Sequence, residues 1–203
     1  MRFIALFAAL IVSSAAMAAE EPAFTSVARD GNIEVRDYAS MIVAEVQVRG
    51  SRGRASSAGF RPLADFIFGN NAPRQEIDMT APVTTTRGQE IAMTAPVTST
   101  EATDGIWTVG FVMPSEYTME TLPEPNNPAV QLREVPGRRM VVIEFNGART
   151  SDRLDTHLNE LESWLAAQGY EAVGEAEYAS YSAPWVPTPF KRHEIMIEVV
   201  PSN

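Results

Sequence analysis

Residues 77–84, Ile-Asp-Met-Thr-Ala-Pro-Val-Thr, return almost unchanged as residues 91–98, Ile-Ala-Met-Thr-Ala-Pro-Val-Thr. In both copies Ile, Met, Ala and Val occupy alternate positions, which is the pattern of a strand with one apolar face. Proline cannot donate a ladder hydrogen bond, so each copy should bend at its proline or lie at a sheet edge. The repeat therefore predicts two strands joined around Arg87-Gly88, with Met79 and Met93 in the core.

The chain on both sides of this repeat alternates in the same way. Period-two patterns predict further strands at 33–36, 41–48, 107–113, 130–135, 140–145, 175–182 and 194–200. A first helix is predicted over 53–68, with Pro62 causing a kink or a late start. A second helix is predicted over 151–168, capped by Ser151 or Asp152 and ended by Gly169. Each half thus reads strand–strand–helix–strand–strand, which indicates one α+β domain built from two similar halves around a curved sheet.

The N-terminus has the features of an export signal. Arg2 precedes an apolar run at 3–12, and Ala16-Met17-Ala18 fits a small-x-small cleavage site. The run is shorter than the roughly 20 residues that a membrane span needs. We expect residues 1–18 to be a signal peptide, residues 19–203 to be one domain, and the protein to be periplasmic or secreted, without stable membrane insertion after cleavage. A retained signal anchor is the alternative.

The composition excludes several classes of function. The chain has 26 acidic and 16 basic residues and a formal net charge of -10, which disfavours binding to nucleic acid phosphates. It has no cysteine, so disulfides, thiolate catalysis and cysteine metal sites are excluded. No nucleophile elbow, phosphate loop or zinc-protease motif occurs, and no class of enzyme is therefore favoured.

Positive charge is concentrated at the start of the first predicted helix. Arg49, Arg52, Arg54 and Arg61 fall in a stretch without any carboxylate. The free N–H groups of a helix start also attract anions, so this segment is a candidate site for a carboxylate or phosphate. A solvated arginine-rich turn is the structural alternative.

A proline-rich segment near the C-terminus carries two large aromatic residues. Trp185 and Phe190 lie in Ala-Pro-Trp-Val-Pro-Thr-Pro-Phe at 183–190, and Lys191 and Arg192 follow. Prolines restrict such a loop, so the two rings could present flat faces to a ligand. They could also simply cover the end of the sheet.

The chain has only two histidines, so they limit any histidine-based metal site. His157 lies beside the leucine stripe of the second helix, and a half-buried structural role is expected. His193 shares strand parity with Ile195 and Ile197, which predicts that it points to the interior of the sheet. It is the better candidate for a metal ligand because aromatic and basic residues precede it.

These motifs together resemble the SOUL/haem-binding-protein family. The resemblance rests on the doubled Ile-x-Met-Thr-Ala-Pro-Val signature, on Ile-Glu-Val-Arg-Asp-Tyr at 33–38, on Trp-x-Val-x-Phe-Val-Met-Pro at 107–114, and on the tail from Tyr181 to Glu194. It covers roughly residues 22–200. It implies a distorted antiparallel β-barrel of two pseudo-symmetric halves flanked by two helices, and non-covalent binding of haem or a related porphyrin beside the first helix.

The resemblance also implies a set of binding residues. The cleft-facing positions would be Phe60, Leu63, Ala64 and Ile67. The propionates and the macrocycle would be held by Arg52, Arg54, Arg61, Trp185, Lys191 and Arg192. Asp37 stands where some members carry a candidate iron-binding histidine, so His193 is left as the candidate axial ligand. The expected function is extracytoplasmic binding of haem or a related tetrapyrrole. An enzyme acting on a hydrophobic small molecule in the same cleft and a partner-binding module that uses the Trp185 loop are the alternatives.

Overall fold

The computed structural model describes residues 19–73, 88–103, 105–183 and 185–201. Residues 1–18, predicted to be a signal peptide, and the first copy of the repeat, with Met79, lie outside these residues. The strands are β1 (Phe24–Asp30), β2 (Ile33–Tyr38), β3 (Met41–Arg49), β4 (Asn71–Ala72), β5 (Val97–Thr103), β6 (Ile106–Val112), β7 (Glu124–Pro125), β8 (Gln131–Val135), β9 (Arg138–Asn146), β10 (Tyr170–Ser180) and β11 (Arg192–Pro201). The helices are α1 (Arg52–Ile67) and α2 (Ser151–Gln168).

Nine of these strands form one antiparallel sheet in the order β1-β2-β9-β11-β10-β5-β6-β3-β8. The two predicted halves, β2-β3-α1-β5-β6 and β8-β9-α2-β10-β11, are both present, which confirms the α+β class. The halves join at three places, where β2 pairs with β9, β10 with β5, and β3 with β8; at the β10–β5 junction Tyr178 lies opposite Ser99. The end strands β1 and β8 do not pair with each other, so the sheet is open and the predicted barrel is not closed.

Both helices cover the same face of the sheet, where the two halves share one core. In α1 the buried positions are Ala55, Gly59, Leu63, Phe66 and Ile67, as the periodicity predicted. In α2 the buried leucines are Leu154, Leu161 and Leu165, and burying each contributes about 1.5–3 kcal/mol. Ala55 of α1 belongs to the same cluster as these leucines. The start of α1 therefore lies close to α2.

Helix α2 is capped at both ends, whereas Ser51, the N-cap of α1, makes no side-chain capping hydrogen bond; two features differ from the sequence-based expectation. Helix α1 is continuous from Arg52 through Pro62, so the proline does not delay its start. The cap of α2 is Thr150, whose hydroxyl accepts from the Arg153 N–H, because the capping residue immediately precedes the first helical residue. Gly169 ends α2 in the left-handed region, with φ 72°.

The second copy of the repeat is not a strand along its whole length. Residues 91–96 make only an isolated bridge between Thr94 and Glu20, and β5 begins at Val97. The Thr94 hydroxyl donates to the buried Val112 carbonyl, which turns Thr94 towards the protein. Met93 is consequently 45% exposed, and its predicted place in the core is wrong.

Strand β1 was not predicted because all seven of its residues are exposed and no apolar alternation marks it. It lies at the edge of the sheet, where it pairs with β2, and Asp30 at its end accepts a hydrogen bond from the Trp164 indole N–H at 3.0 Å. In the ranges that the structure describes, neither helix is long and apolar enough to cross a bilayer.

Candidate anion site at the start of the first helix

Arg52, the first residue of α1, reaches across the seam between the two halves. Its guanidinium carbon lies 4.4 Å from the ring centroid of Tyr178 and 5.8 Å from that of Trp107. Its Nη2 is 3.5 Å from a carboxylate oxygen of Asp155 on α2. Its Nη1 is buried and has no hydrogen-bond partner among the described residues. Nη2 therefore has a carboxylate partner, whereas Nη1 is free to bind a polar group of a ligand.

Two serine hydroxyls near this position are also buried without a partner in the described part of the chain. Ser56 lies one helical turn after Arg52, on the same side of α1. Ser99 is only 2% exposed and is the cross-strand neighbour of Tyr178, on which Arg52 stacks. A buried polar atom without a partner costs about 1–3 kcal/mol, so such atoms usually bond to water or a ligand. The unpartnered Arg52 Nη1 and these two hydroxyls therefore indicate a position suited to a polar group of a ligand or to water.

Arg149, in the connection before α2, adds a second positive charge. Burial lowers its pKa from the ordinary arginine value, and the nearby charge of Arg52 lowers it further. Arg149 forms no ion pair with any carboxylate that the structure describes. Two guanidinium groups this close repel each other unless an anion lies between or beside them.

Further basic residues lie near Arg149, whereas Arg52 also lines a hollow of about 170 Å³ whose lining includes Glu101, Glu162 and Glu175. Lys191 is held next to the Arg149 connection because its carbonyl accepts the Gly147 N–H at 2.9 Å. The charges of Arg149, Lys191 and Arg153 all act on the neighbouring His193. We refer to Arg52, Arg149, Arg153 and Lys191 as the basic cluster. The N-terminus of α2 lies at the same place and adds its partial positive charge.

His193 itself is buried at 2% exposure and both of its ring nitrogens have partners. Nε2 lies 3.1 Å from the Gly147 carbonyl oxygen, and Nδ1 lies 3.3 Å from the Ser180 hydroxyl. Burial first, and then the charge of Arg149, lowers its pKa to about 4. It does share a face with Ile195, as predicted, but that face is covered by α2 rather than open. The structure therefore does not present His193 to a ligand.

The two aromatic residues of the proline-rich segment are the most exposed large hydrophobic side chains among the described residues. Trp185 is 84% exposed and Phe190 is 74% exposed. We call residues 185–190 the aromatic loop. It leads directly into Lys191, so its rings lie next to the basic cluster along the chain.

The other predicted binding residues are not gathered at this site. Arg192 lies on the opposite face of β11, where it stacks on Tyr181 at 3.8 Å and pairs with Glu21 and Glu194. Arg54 and Arg61 are exposed on α1. Leu63 and Ile67 are buried under α1, while Phe60 and Ala64 are half-buried. Phe60 packs edge-on against Phe111 at 5.3 Å, so protein atoms fill the space under this part of α1.

Sequence reasoning found Arg52 and Lys191 but missed Arg149 and Arg153. These arginines lie far from Arg52 along the chain, and only pairing between the halves brings Arg149 close to it. The available signal was the presence of two arginines around the start of α2. It was weak because Asp152 and Asp155 interrupt it.

The helix-free face of the sheet offers two other hollows. One holds only about 70 Å³, which is too small for a drug-sized ligand. The other, at the end of that face, holds about 510 Å³. Its charged lining residues are Glu20, Glu21, Glu120 and Glu134. A carboxylate ligand would be repelled there.

A buried polar cluster on the same face does not favour hydrolysis. Arg36 lies 2.7 Å from Glu34 and 3.1 Å from Glu194, and Tyr181 donates to Glu194 at 2.5 Å. Burial and the charge of Glu194 raise the pKa of Tyr181, so its hydroxyl is a poor nucleophile. Within the described ranges no group of His, Asp and Glu residues is arranged to hold a metal ion.

The fold is similar to several solved structures at low identity. The C-terminal domain of EcmrR matches with a TM-score of 0.61 and 11% identity, covering 83% of this chain and 97% of that one. A hydrolase from Listeria innocua matches with a TM-score of 0.54 and 13% identity, covering 86% and 94%. An uncharacterized conserved protein from Listeria innocua matches with a TM-score of 0.55 and 14% identity, covering 85% and 94%. These likenesses establish only the fold.

No curated protein matches the chain. The family model of the SOUL heme-binding protein, in contrast, matches residues 19–90 and 85–198, which is nearly the whole chain after residue 18. The chain belongs to the SOUL haem-binding protein family.

Proposed function

We propose that this protein binds haem or a closely related tetrapyrrole non-covalently, with the carboxylates of the ligand at the basic cluster. The observations that carry the proposal are the buried Arg52 Nη1, which has no partner among the described residues, and Arg149, which forms no ion pair with a described carboxylate and whose pKa is lowered by burial and by the charge of Arg52. The propionates of a porphyrin are flexible carboxylates, and guanidinium groups bind carboxylates in a bidentate manner. Family membership supports a flat tetrapyrrole rather than an unrelated anion.

The macrocycle would lie against Trp185 and Phe190, whose rings are exposed beside the basic cluster. Burying a few hundred Å² of porphyrin surface at about 25 cal/mol per Å² supplies several kcal/mol before the costs of association. Arg54, Arg61 and Arg192 are less well placed for this ligand. Arg192 already has carboxylate partners, and Arg54 and Arg61 lie on the exposed side of α1.

Iron should contribute little to affinity. His193 is engaged at both nitrogens, and Asp37 is held by Arg139 at 2.6 and 2.7 Å. Neither side chain is therefore free to become an axial ligand without losing existing bonds. Iron-free protoporphyrin should accordingly bind within about tenfold of haemin.

The protein would act outside the cytoplasm as a binder and not as an enzyme. The export signal read at residues 1–18 supports the location, and the absence of cysteine is compatible with an oxidising compartment. The Glu194 and Tyr181 pair, which would be the first choice for a hydrolase, is neutralised by Arg36 and Arg192.

The test is a spectroscopic titration of the protein from Ala19 onwards with haemin and, separately, with protoporphyrin IX. We expect saturable binding at one ligand per chain, with dissociation constants within about tenfold of each other. An Arg133→Gln variant is a matched control, because Arg133 is a half-exposed arginine already paired with Glu45 at 2.9 Å. Its titration should be unchanged. Non-saturable changes with both ligands would overturn the proposal.

A further inference from the structure

The aromatic loop is exposed although it is well ordered by its own hydrogen bonds. The Val186 N–H donates to Ala183 and the Phe190 N–H donates to Pro187, at 3.1 and 2.9 Å. At its base, the Arg192 N–H donates to the Ser182 hydroxyl at 2.8 Å. The exposure of Trp185 and Phe190 is therefore a property of a folded loop. A rigid loop loses little entropy when its rings become buried against another surface.

The aromatic loop brings two strongly exposed rings next to Lys191, which forms no ion pair with the described residues. Phe68 is 61% exposed, but it is a single ring at the end of α1, three residues after Asp65. The aromatic loop leads into Lys191, and the Lys191 carbonyl bonds to Gly147 in the connection that carries Arg149 and leads to Arg153. The apolar tip and the cationic base thus form one continuous patch.

Such a patch matches the chemistry of a lipid bilayer surface that contains anionic lipids. Tryptophan rings favour the interfacial region between headgroups and acyl chains, and basic residues at the same depth attract lipid phosphates. The chain as a whole is acidic, with a formal net charge of -10, so an anionic surface would repel orientations that present its acidic surfaces. This charge asymmetry favours a bilayer over a protein partner of unspecified charge.

We propose that the aromatic loop docks the protein on anionic bilayers, with Trp185 and Phe190 in the interfacial region and Lys191, Arg149 and Arg153 at the lipid phosphates. The inference deepens the proposed function and rests on it in one respect: the same rings and basic residues would meet either the bilayer or the tetrapyrrole, so docking and tetrapyrrole binding are alternative states of one surface. Docking is peripheral and reversible, because one short loop carries it.

The test uses ligand-free protein from Ala19 onwards and two kinds of vesicle, phosphatidylcholine alone and phosphatidylcholine containing phosphatidylglycerol. Co-sedimentation should show binding about tenfold stronger to the anionic vesicles, weakening as salt is raised. Tryptophan fluorescence should shift to shorter wavelength on binding, because Trp185 is the most exposed of the three tryptophans; Trp107 is 6% exposed, and Trp164 is half-buried with its indole N–H bonded to Asp30.

The double variant Trp185→Ala/Phe190→Ala should bind anionic vesicles about tenfold more weakly, and Phe68→Ala, which removes an equally large exposed ring elsewhere, should bind normally. No binding of the parent protein to anionic vesicles, or equal binding by the double variant, would overturn the inference. A haemin titration without lipid separates the two proposals. Haemin binding without vesicle binding leaves the function standing alone, and vesicle binding without haemin binding leaves the docking alone.

Discussion

Arg149 is half-buried, carries a lowered pKa, and lies close to a second guanidinium instead of a carboxylate. Burial of a charge without a carboxylate partner is costly, and a bound anion would offset that cost. Arg149 differs in this respect from the other half-buried arginines that the structure describes, because all of those have carboxylate partners. Arg138, for example, pairs with Glu177 at 2.6 Å and with Glu198 at 3.3 Å.

We therefore expect Arg149→Gln to leave the free energy of unfolding unchanged or to raise it by up to about 1 kcal/mol, because repulsion from Arg52 is relieved. The same change should weaken haemin binding about tenfold. Arg138→Gln, the matched control, should lower the free energy of unfolding by about 1–3 kcal/mol and leave haemin binding unchanged. For each variant, urea unfolding measures the change in stability and haemin titration measures the change in affinity. A large loss of stability in Arg149→Gln would show that this arginine has a structural role.

His193 makes stability depend on pH. Its pKa falls from an ordinary value of 6.5 to about 4 in the folded protein, mainly through burial. As the pH falls below 6.5 the unfolded chain takes up a proton and the folded chain does not. Stability is thus fully present above pH 6.5 and is lost progressively down to about pH 4, by on the order of 3 kcal/mol.

The variant His193→Asn removes this titration while keeping an amide that can bond to Gly147. Between pH 7 and 5, urea unfolding should show a clear fall in stability for the parent protein and a smaller one for the variant. This range lies above the titration of Glu34 and Asp37, whose pKa values are both lowered from their ordinary values by arginine partners or hydrogen bonds. Identical slopes for the two proteins would contradict the assignment.

At the level of single elements, helix α1 positions Arg52 by packing unusually close to β6. A Cβ added to Gly59 would lie 2.6 Å from the Val109 Cβ, so any side chain there must push the helix away from the sheet. Gly53 on the same helix has open space around its Cβ position. The two glycines form a natural comparison.

Gly59→Ala should lower the free energy of unfolding by about 1–3 kcal/mol through overpacking. Gly53→Ala should raise it by up to about 1 kcal/mol, because alanine is the better helix former and meets no neighbour. Urea denaturation of the two variants measures both changes in the free energy of unfolding. Equal effects of the two substitutions would mean that α1 does not pack as closely as described.

The elements that could be predicted from the sequence are those in which a periodic apolar face is buried. Helix α2 matches its predicted range for this reason, and so does the buried face of α1. Strand β1 carries no such face, and residues 91–96 follow side-chain hydrogen bonding at Thr94 instead of alternation. The alternation of side chains along the strand correctly placed His193 on the same face as Ile195. Alternation alone does not tell which face of a sheet the helices will cover.

At the level of the whole molecule, a buried ionic cluster links the beginning and the end of the chain. Glu34 and Arg36 of β2 meet Glu194 of β11, and the side chains of all three are at most 6% exposed. Removing one charge from such a group leaves another uncompensated in a dry environment. Glu194→Gln should therefore lower the free energy of unfolding by about 3–5 kcal/mol.

The control is Glu45→Gln, which breaks an ion pair with Arg133, whose side chain is 54% exposed. It should change stability by less than about 1 kcal/mol. Urea denaturation of both variants at neutral pH gives the comparison. If Glu194→Gln were as mild as Glu45→Gln, the cluster would not bind the two ends of the chain together.

The candidate site could be predicted only in part, because it is made by the meeting of the two halves. The carboxylate-free arginine stretch identified Arg52, and the tail motif identified Lys191. Arg149 reaches them only through the pairing of β10 with β5 and the packing of α2 against the start of α1. A property that depends on such long-range pairing leaves no local pattern in the sequence.

The central claim is that the basic cluster holds the carboxylates of a tetrapyrrole. The most direct test compares protoporphyrin IX with its dimethyl ester, which has the same macrocycle without the negative charges, on the parent protein and on Arg52→Gln/Arg149→Gln. The double variant should bind the free acid about tenfold to a hundredfold more weakly, a loss of roughly 1.4–3 kcal/mol, and the ester within about twofold of the parent. Equal losses for the acid and the ester, or no loss for the acid, would contradict the account.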